Sequence, residues 1–316
     1  MRRLIITRLA VAVATLLAVS VVVFAGVSLL PGNAAQIALG QEATPQRVAA
    51  LSRQYGLDRP ITTRYVDWLT GLLHGDLGES LTANEPVTTL IGHNLRNTAI
   101  LAAGAILVIV PLAVVLGVLS ALWRDSWFDY VIAAGSLAFL STPEFVVGTG
   151  LIVVLATGLG LFPPVSLLDS QASPLSQLNL LVLPILTLAL VAVGQATRMI
   201  RASMIEILNQ DYIQSALLRG VPRWQILFRH ALPNAFDSTV QVLALTVGWL
   251  VGGVVVTETL FQYPGIGSAF ANAVNARDLP TVEAAAMIVT AVYVIANLVA
   301  EIGVIVINPR LRRAHR

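Results

Sequence analysis

The sequence has no cysteine, which excludes disulfides, thiol catalysis and cysteine metal sites. It has no lysine either: all 19 basic residues are arginine. A phosphate-cradling P-loop must end in Lys followed by Ser or Thr, so this chain is not itself a Walker-type ATPase. Charge is scarce, at 11% of residues against roughly 25% in a soluble domain. Apolar residues take its place, at 56% of the chain, and the mean hydropathy is +0.80. This is the composition of an integral membrane protein. A net charge of +2 is too small to argue for nucleic acid. His74, His93, His230 and His315 are scattered, and none opens a His-Glu-x-x-His pair. No Gly-x-Ser-x-Gly elbow and no Gly-x-Gly-Asp pair occurs, so an enzyme reading has no catalytic constellation behind it.

Apolar stretches recur at Leu9–Leu30, Thr98–Leu122, Val131–Ala156, Leu180–Thr197, Ser238–Leu260 and Glu283–Ile307. The first reaches about 33 Å as a helix, enough to cross a hydrocarbon core of about 30 Å. It exceeds the roughly 7–15 apolar residues of a signal peptide, so a retained first helix is expected. Six spans with both termini in the cytoplasm follow from the arginines. Arg2, Arg3 and Arg8 precede the first span, and Arg310, Arg312, Arg313 and Arg316 follow the last. Thirteen arginines fall on the assigned cytoplasmic side, and Arg277 falls in a short outer loop. The other five lie in the long outer segment, where the positive-inside rule loses force. The chain divides into an N-terminal span, 1–30, an extracytoplasmic helical segment, 31–93, a core of five spans, 94–307, and a basic tail, 308–316.

The outer segment reads as two short helices. Thr44 is placed as N-cap with Pro45 first, Val48, Leu51 and Tyr55 forming one stripe and Gly56 ending it. Pro60 opens the second, with Tyr65, Trp68, Leu69 and Leu72 on one face. Gly71, Gly75 and Gly78 then break regularity around Asp76 and Glu79. A solvated surface accounts for these acids better than a metal site.

The cytoplasmic loop 198–237 is long, polar and basic between two apolar spans. Ile205, Leu208, Tyr212 and Ala216 fall on one helical stripe. Gly220 is placed to end that helix in the left-handed conformation. Pro222 suits the first turn of a second helix, Arg223 to Leu232, which Pro233 stops or kinks. Within the spans, Glu144 follows Pro143. It either borders a translocation path or is satisfied by a neighbouring helix, and the second reading is preferred. Glu258 and Glu301 read as interfacial or structural. Gly248, Gly252 and Gly253 permit close helix packing.

The loop pattern Gln214-Ser215-Ala216, Gly220 and His230-Ala231-Leu232-Pro233 resembles the "EAA" loop of ABC-importer permeases. The likeness extends along the chain. Leu29-Leu30-Pro31-Gly32 is similar to the family's first-helix exit, with Asn33 replacing Asp. Tyr55-Gly56-Leu57-Asp58-Arg59-Pro60 and Leu72 to Ser80 resemble its outer segment, and Leu95-Arg96-Asn97-Thr98 its entry to the core. Glu258 to Gly267 and Arg277-Asp278-Leu279-Pro280 resemble its fifth-span exit and outer loop. Asn297-Leu298, Glu301 and Asn308-Pro309-Arg310 resemble its ending. Gln214-Ser215 stands where the motif has Glu-Ala, which puts in doubt any salt bridge from that glutamate.

Together these identify the chain as a member of the B-type permease subunits of dipeptide, oligopeptide and nickel ABC importers. The resemblance implies an all-α, type I importer fold in a prokaryotic plasma membrane. It implies a homologous second permease, two ATP-binding subunits that hold the ATP and Mg, an extracytoplasmic substrate-binding protein and a peptide cargo. It implies no cofactor in this chain. Tyr212, Gln214, Ser215, Ala216, Arg219 and Gly220 become the expected contacts for coupling to the ATPase. An ion-driven secondary transporter is the alternative; it would call for inverted repeats and broken helices in matching halves, and no repeat is evident.

Overall fold

The computed structural model describes residues 2–29, 36, 39, 43–54, 56, 58–83, 85–169 and 174–307. Expectations on Pro31, Gly32, Asn33, Tyr55, the basic tail 308–316 and the side chain of Glu301 lie outside the described residues. Among the described residues the elements are helical, joined by turns and one isolated bridge between Glu79 and Pro86.

Helix α1 (Arg2–Ser28) is followed by the two short helices read from the sequence, α2 (Pro45–Gln54) and α3 (Ile61–Leu73). Thr44 Oγ1 accepts from Arg47 N, 3.4 Å away, as an N-cap should, and Gly56 turns with φ +60°. Tyr65, Trp68, Leu69 and Leu72 form the half-buried face of α3. Tyr65 and Trp68 pack on Phe24 of α1 with ring centroids 5.3 and 5.5 Å apart. Tyr65 also shares a 2.9 Å hydrogen bond with Ser20.

Helix α4 (Val87–Leu122) starts well before the apolar stretch at Thr98 and passes through Pro111. It crosses α7 (Leu178–Leu208), whose N-terminal half carries Pro184. Leu101, Ala105 and Ile109 of α4 meet Leu181, Leu188, Ala189 and Ala192 of α7, with Leu250 and Val254 of α10 (Leu232–Leu260) completing the core. Without a hydrophobic drive between helices in lipid, close backbone approach matters most. Gly117 of α4 supplies it: a Cβ there would sit 2.8 Å from Ile200 Cγ2 and 3.0 Å from the Thr197 carbonyl.

Among the described residues four helical stretches are long and apolar enough to cross a membrane: Ile6–Ser28, Val87–Leu122, Leu175–Leu208 and Leu279–Val299. A further apolar passage is a pair, α5 (Trp127–Ser141) and α6 (Glu144–Leu151), the latter continuing as a π-turn, Ile152–Gly158. The pair bends by 108° at its junction. The stretch Val131–Ala156 is therefore not one straight span. The residue before a proline avoids the helical region, and Thr142 accordingly sits at φ −96°, ψ 126° with Pro143 behind it. Helix α10 is 29 residues long and apolar in its Gly248–Leu260 part. It ends at a turn leading to α11 (Ile266–Ala276) and α12 (Leu279–Ile307), the latter packing beside α1. Of the three α10 glycines, Gly248 abuts Asn297 and Gly253 abuts Glu144, while Gly252 has open space.

Two long-range polar knots tie the chain together at the α3 end. Glu258, 0% exposed, accepts from Thr98 Oγ1 at 2.5 Å, Gly267 N at 2.7 Å and Ser268 N at 3.2 Å. Gly265 is the N-cap of α11 and has no side chain to offer, so the Glu258 carboxylate caps those N–H groups. Asn97 Nδ2 donates to the Pro264 carbonyl and Tyr263 Oη to the Asn97 carbonyl, each at 2.8 Å. In the second knot the buried Asp278 accepts from Leu81 N at 3.0 Å, Thr82 Oγ1 at 3.1 Å, Thr281 Oγ1 at 2.8 Å, and Ser80 Oγ. The sequence segments around Thr98, Glu258, Ser80 and Asp278 thus meet pairwise in space.

Candidate coupling site

At the other end of the bundle, α7 stops at Leu208. Gln210, in an extended conformation, starts the separate helix α8 (Asp211–Leu218). The stripe Ile205, Leu208, Tyr212 and Ala216 therefore spans two helices, not one. Asp211 occupies the first turn of α8, where negative charge favours the helix dipole. Gln214 Nε2 donates to the Leu208 carbonyl at 3.2 Å, satisfying one of the orphan acceptors at the end of α7. An ionised glutamate in that place has no proton to donate.

The end of α8 is a complete Schellman motif. Gly220 N donates to the Leu217 carbonyl at 3.0 Å, Val221 N to the Ala216 carbonyl at 3.2 Å, and Gly220 takes φ +76°. Arg219 Nε donates to the Ser215 carbonyl at 3.2 Å, as a cation near a helix C-terminus should. Val221 then packs with Ile213, Ala216 and Ile226, so α8 and α9 (Arg223–Ile226) form a small two-helix unit with its own apolar centre. The helical path does not stop at Pro233. Leu227–Ala231 widens to a π-turn, and α10 begins at once, with Asn234 Nδ2 donating to the His230 carbonyl at 2.6 Å. A π-turn next to a proline absorbs the missing N–H and the ring clash one turn back.

Of the expected coupling residues, Tyr212, Gln214, Ser215, Arg219 and Gly220 are exposed on this unit. Ala216 is buried inside it and presents nothing to a partner. Sequence reasoning missed three large exposed apolar side chains. Leu218 is 89% exposed, and Trp224 and Phe228, one turn apart, are each 65% exposed. Large exposed apolar side chains on one small unit mark a surface built to be covered. The signal was available in the alternation of Trp224 and Phe228 with buried Ile226.

Asp129 fixes this end of the bundle. Arg201 of α7 grips it in a fork, Nε to Oδ1 at 2.7 Å and Nη2 to Oδ2 at 2.6 Å. Ser120 Oγ and Asp125 N also donate to it. Three elements, α4, α5 and α7, are thereby joined about two turns before α7 ends. The Asp129 side chain is 3% exposed and that of Arg201 28%. Replacing Arg201 by alanine is expected to destabilise the protein by about 3 kcal/mol, because it strands a buried carboxylate. Asp129→Ala should cost less, since the freed guanidinium can reach water. Thermal unfolding of both variants in detergent checks the order, and the reverse order would overturn this account.

Glu144 lies elsewhere, in the first turn of α6. Thr257 Oγ1 of α10 donates to its Oε1 at 2.5 Å. A Cβ at residue 253 would sit 2.7 Å from its Oε2, so glycine there makes room for the carboxylate. No group of three or more metal-binding side chains occurs among the described residues.

The sequence matches two family descriptions. Residues 113–313 match the binding-protein-dependent transport system inner membrane component, and residues 1–116 match the N-terminal part of such membrane components. A protein of Brucella abortus (strain 2308), provisionally named a peptide transport system permease protein, is 35% identical over 99% of both chains. The probable D,D-dipeptide transport system permease protein DdpB of Escherichia coli (strain K12) is 35% identical over 93% of both. The glutathione transport system permease protein GsiC of Salmonella typhi is 31% identical over 98% of both.

Proposed function

The chain belongs to the family of binding-protein-dependent transport system inner membrane components, and from that premise we propose that it is the permease subunit of an ATP-driven importer of peptides. The observation that carries the cargo class is full-length similarity to permeases named for peptide, D,D-dipeptide and glutathione transport. It is a multi-pass protein of the bacterial plasma membrane. We read α1, α4, the bent α5–α6 pair, α7, α10 and α12 as six passages with both termini in the cytoplasm. This places α8 and α9 inside and α2, α3 and α11 outside.

Two ATP-binding subunits then dock below, one of them on the α8–α9 unit. Leu218, Trp224 and Phe228 serve as apolar anchors, and Tyr212, Gln214, Ser215 and Arg219 as the polar surround. A homologous second permease completes the membrane unit, and an extracytoplasmic binding protein delivers the peptide. ATP and Mg reside in the partner subunits. ATP closes those subunits, and because it binds the closed state better, it biases the permease towards the conformation that closure favours. The α8–α9 unit has its own core and moves as a body. The Asp129–Arg201 fork passes that motion to α4, α5 and α7. Glu144, at the bend of the α5–α6 pair, accepts from Thr257 of the neighbouring α10, in line with the reading preferred from the sequence over a place on the path.

Purification of the tagged chain in mild detergent, followed by uptake of a labelled dipeptide into proteoliposomes, tests this. A second permease and ATP-binding subunits should co-purify, and uptake should require ATP and a binding protein. A chain that purifies alone and transports with an ion gradient would overturn the reading.

A further inference from the structure

A pocket of about 410 Å³ lies at the α3 end, walled by Phe24 of α1, Arg64 and Trp68 of α3, the Asp76 turn and Glu283 of α12. Glu283 is 6% exposed. Among the described residues no hydrogen bond or ion pair reaches its carboxylate, and Arg64 is a cation that lines the same pocket. Arg64 is held over the Phe24 ring, 5.7 Å from its centroid, and does not close on Glu283. The neighbouring acids are already engaged: Asp67 pairs with Arg59 at 3.2 Å, and Asp76 Oδ1 accepts from Gly78 N at 2.9 Å. Glu283 and Arg64 therefore line one open space without meeting.

A buried carboxylate without a partner is costly, and a ligand cation relieves that cost. A primary ammonium supplies three N–H donors, and the face of Trp68 favours a cation beside it. The opposite end of the ligand must be anionic to meet Arg64. The pocket sits where two apolar helices end, about one turn from Ser28 of α1 and one turn from Leu279 of α12. Exposed Val22 of α1 and Leu29 just beyond it lie around that level. Such a site is at headgroup height, beside a surface suited to acyl chains.

We propose that this pocket binds the headgroup of an aminophospholipid, its ammonium on Glu283 and its phosphate towards Arg64. A choline headgroup has no N–H to donate to Glu283, and a glycerol headgroup has no cation. This goes beyond the transport reading and needs only that these helix ends lie at a membrane surface.

The test uses the detergent-purified importer complex, exposed to vesicles of equal parts phosphatidylethanolamine, phosphatidylcholine and phosphatidylglycerol. It is then repurified, and the retained lipid is measured by mass spectrometry. Phosphatidylethanolamine should be enriched over phosphatidylcholine. Glu283→Gln should lower the retained phosphatidylethanolamine about tenfold, the loss of one charge-assisted interaction. Should that variant fail to assemble, Arg64→Gln on the half-exposed α3 decides: loss of the enrichment supports the site. Equal retention of the amine and choline lipids by the unaltered complex would overturn the proposal. So would unchanged enrichment in either variant, or displacement of the lipid by a soluble zwitterionic dipeptide.

Discussion

Glu258→Ala is expected to destabilise the folded chain by roughly 3–5 kcal/mol, the cost typical of breaking a buried, charge-bearing network. Three donors lose their acceptor at once: Thr98 Oγ1, Gly267 N and Ser268 N. The Glu258 side chain is 0% exposed and Gly267 is buried with it, while Thr98 and Ser268 are half-buried, so solvent replaces the lost oxygens only in part. The α11 helix also loses the carboxylate at its N-terminus, where its own first turn has no acid and its N-cap is Gly265. Glutamine keeps one acceptor oxygen but must turn an NH₂ towards donors, so it should fall between the native residue and alanine. A companion substitution separates packing from charge. A Cβ at residue 265 would come within 2.0 Å of Glu258 Oε1, so Gly265→Ala alone should also be damaging. In the double variant the new methyl enters space that the carboxylate has left. The two costs should then add to clearly less than their sum, as contacting sites do. Denaturant titration in detergent measures all five proteins. Full additivity, or a Glu258→Ala cost below about 1 kcal/mol, would show that the knot does not hold α10 to α11.

The local signals were legible in the sequence where one residue type has one conformational meaning. Thr44 and Pro45 mark the start of α2, and Gly220 takes the positive φ that its position required. The half-buried face of α3 is the stripe that period 3.6 picked out. What stayed hidden depends on partners far away along the chain. Nothing near Asp278 announces that Ser80 and Leu81 fold back onto it, and nothing near Asp129 points to Arg201. Glu258 read as structural, but its role as the cap of another helix needs the third dimension. Span counting also sees only composition. It registers Val131–Ala156 as one apolar run, whereas Pro143 turns that run through 108°. Pro233 shows the converse: a residue that usually stops a helix is carried through by a π-turn. At the candidate site, pattern matching to a motif drew attention to Ala216, which is buried. It passed over Leu218, Trp224 and Phe228, which the α8–α9 unit leaves in the open.

Gly220→Val is expected to leave membrane insertion intact and to lower ATP-coupled peptide uptake by about tenfold or more, the scale of 1–2 kcal/mol or more of backbone strain. Packing contributes little to this effect. A Cβ at residue 220 would meet nothing within 4 Å, so the added side chain has room. What it lacks is a conformation. Residue 220 sits at φ +76°, where a β-branched side chain is a true outlier. To relieve the strain the chain must give up one or both Schellman bonds, Gly220 N to Leu217 and Val221 N to Ala216. Either loss swings Val221 away from Ile213 and Ala216, and with it the orientation of α9 relative to α8. Trp224 and Phe228 would then present to a partner at the wrong angle to Leu218. Coupling by a rigid body fails when the body loses its shape, even if every side chain on its surface is retained. The control is Gly220→Asn, because asparagine enters the left-handed region at far smaller cost. It should retain most of the uptake while adding a larger side chain than alanine does. Uptake and ATP hydrolysis measured together in proteoliposomes separate the cases: the valine variant should bind its partners poorly or hydrolyse ATP without transport. Equal loss in the asparagine and valine variants would mean that bulk at this position, not backbone conformation, is what the partner senses.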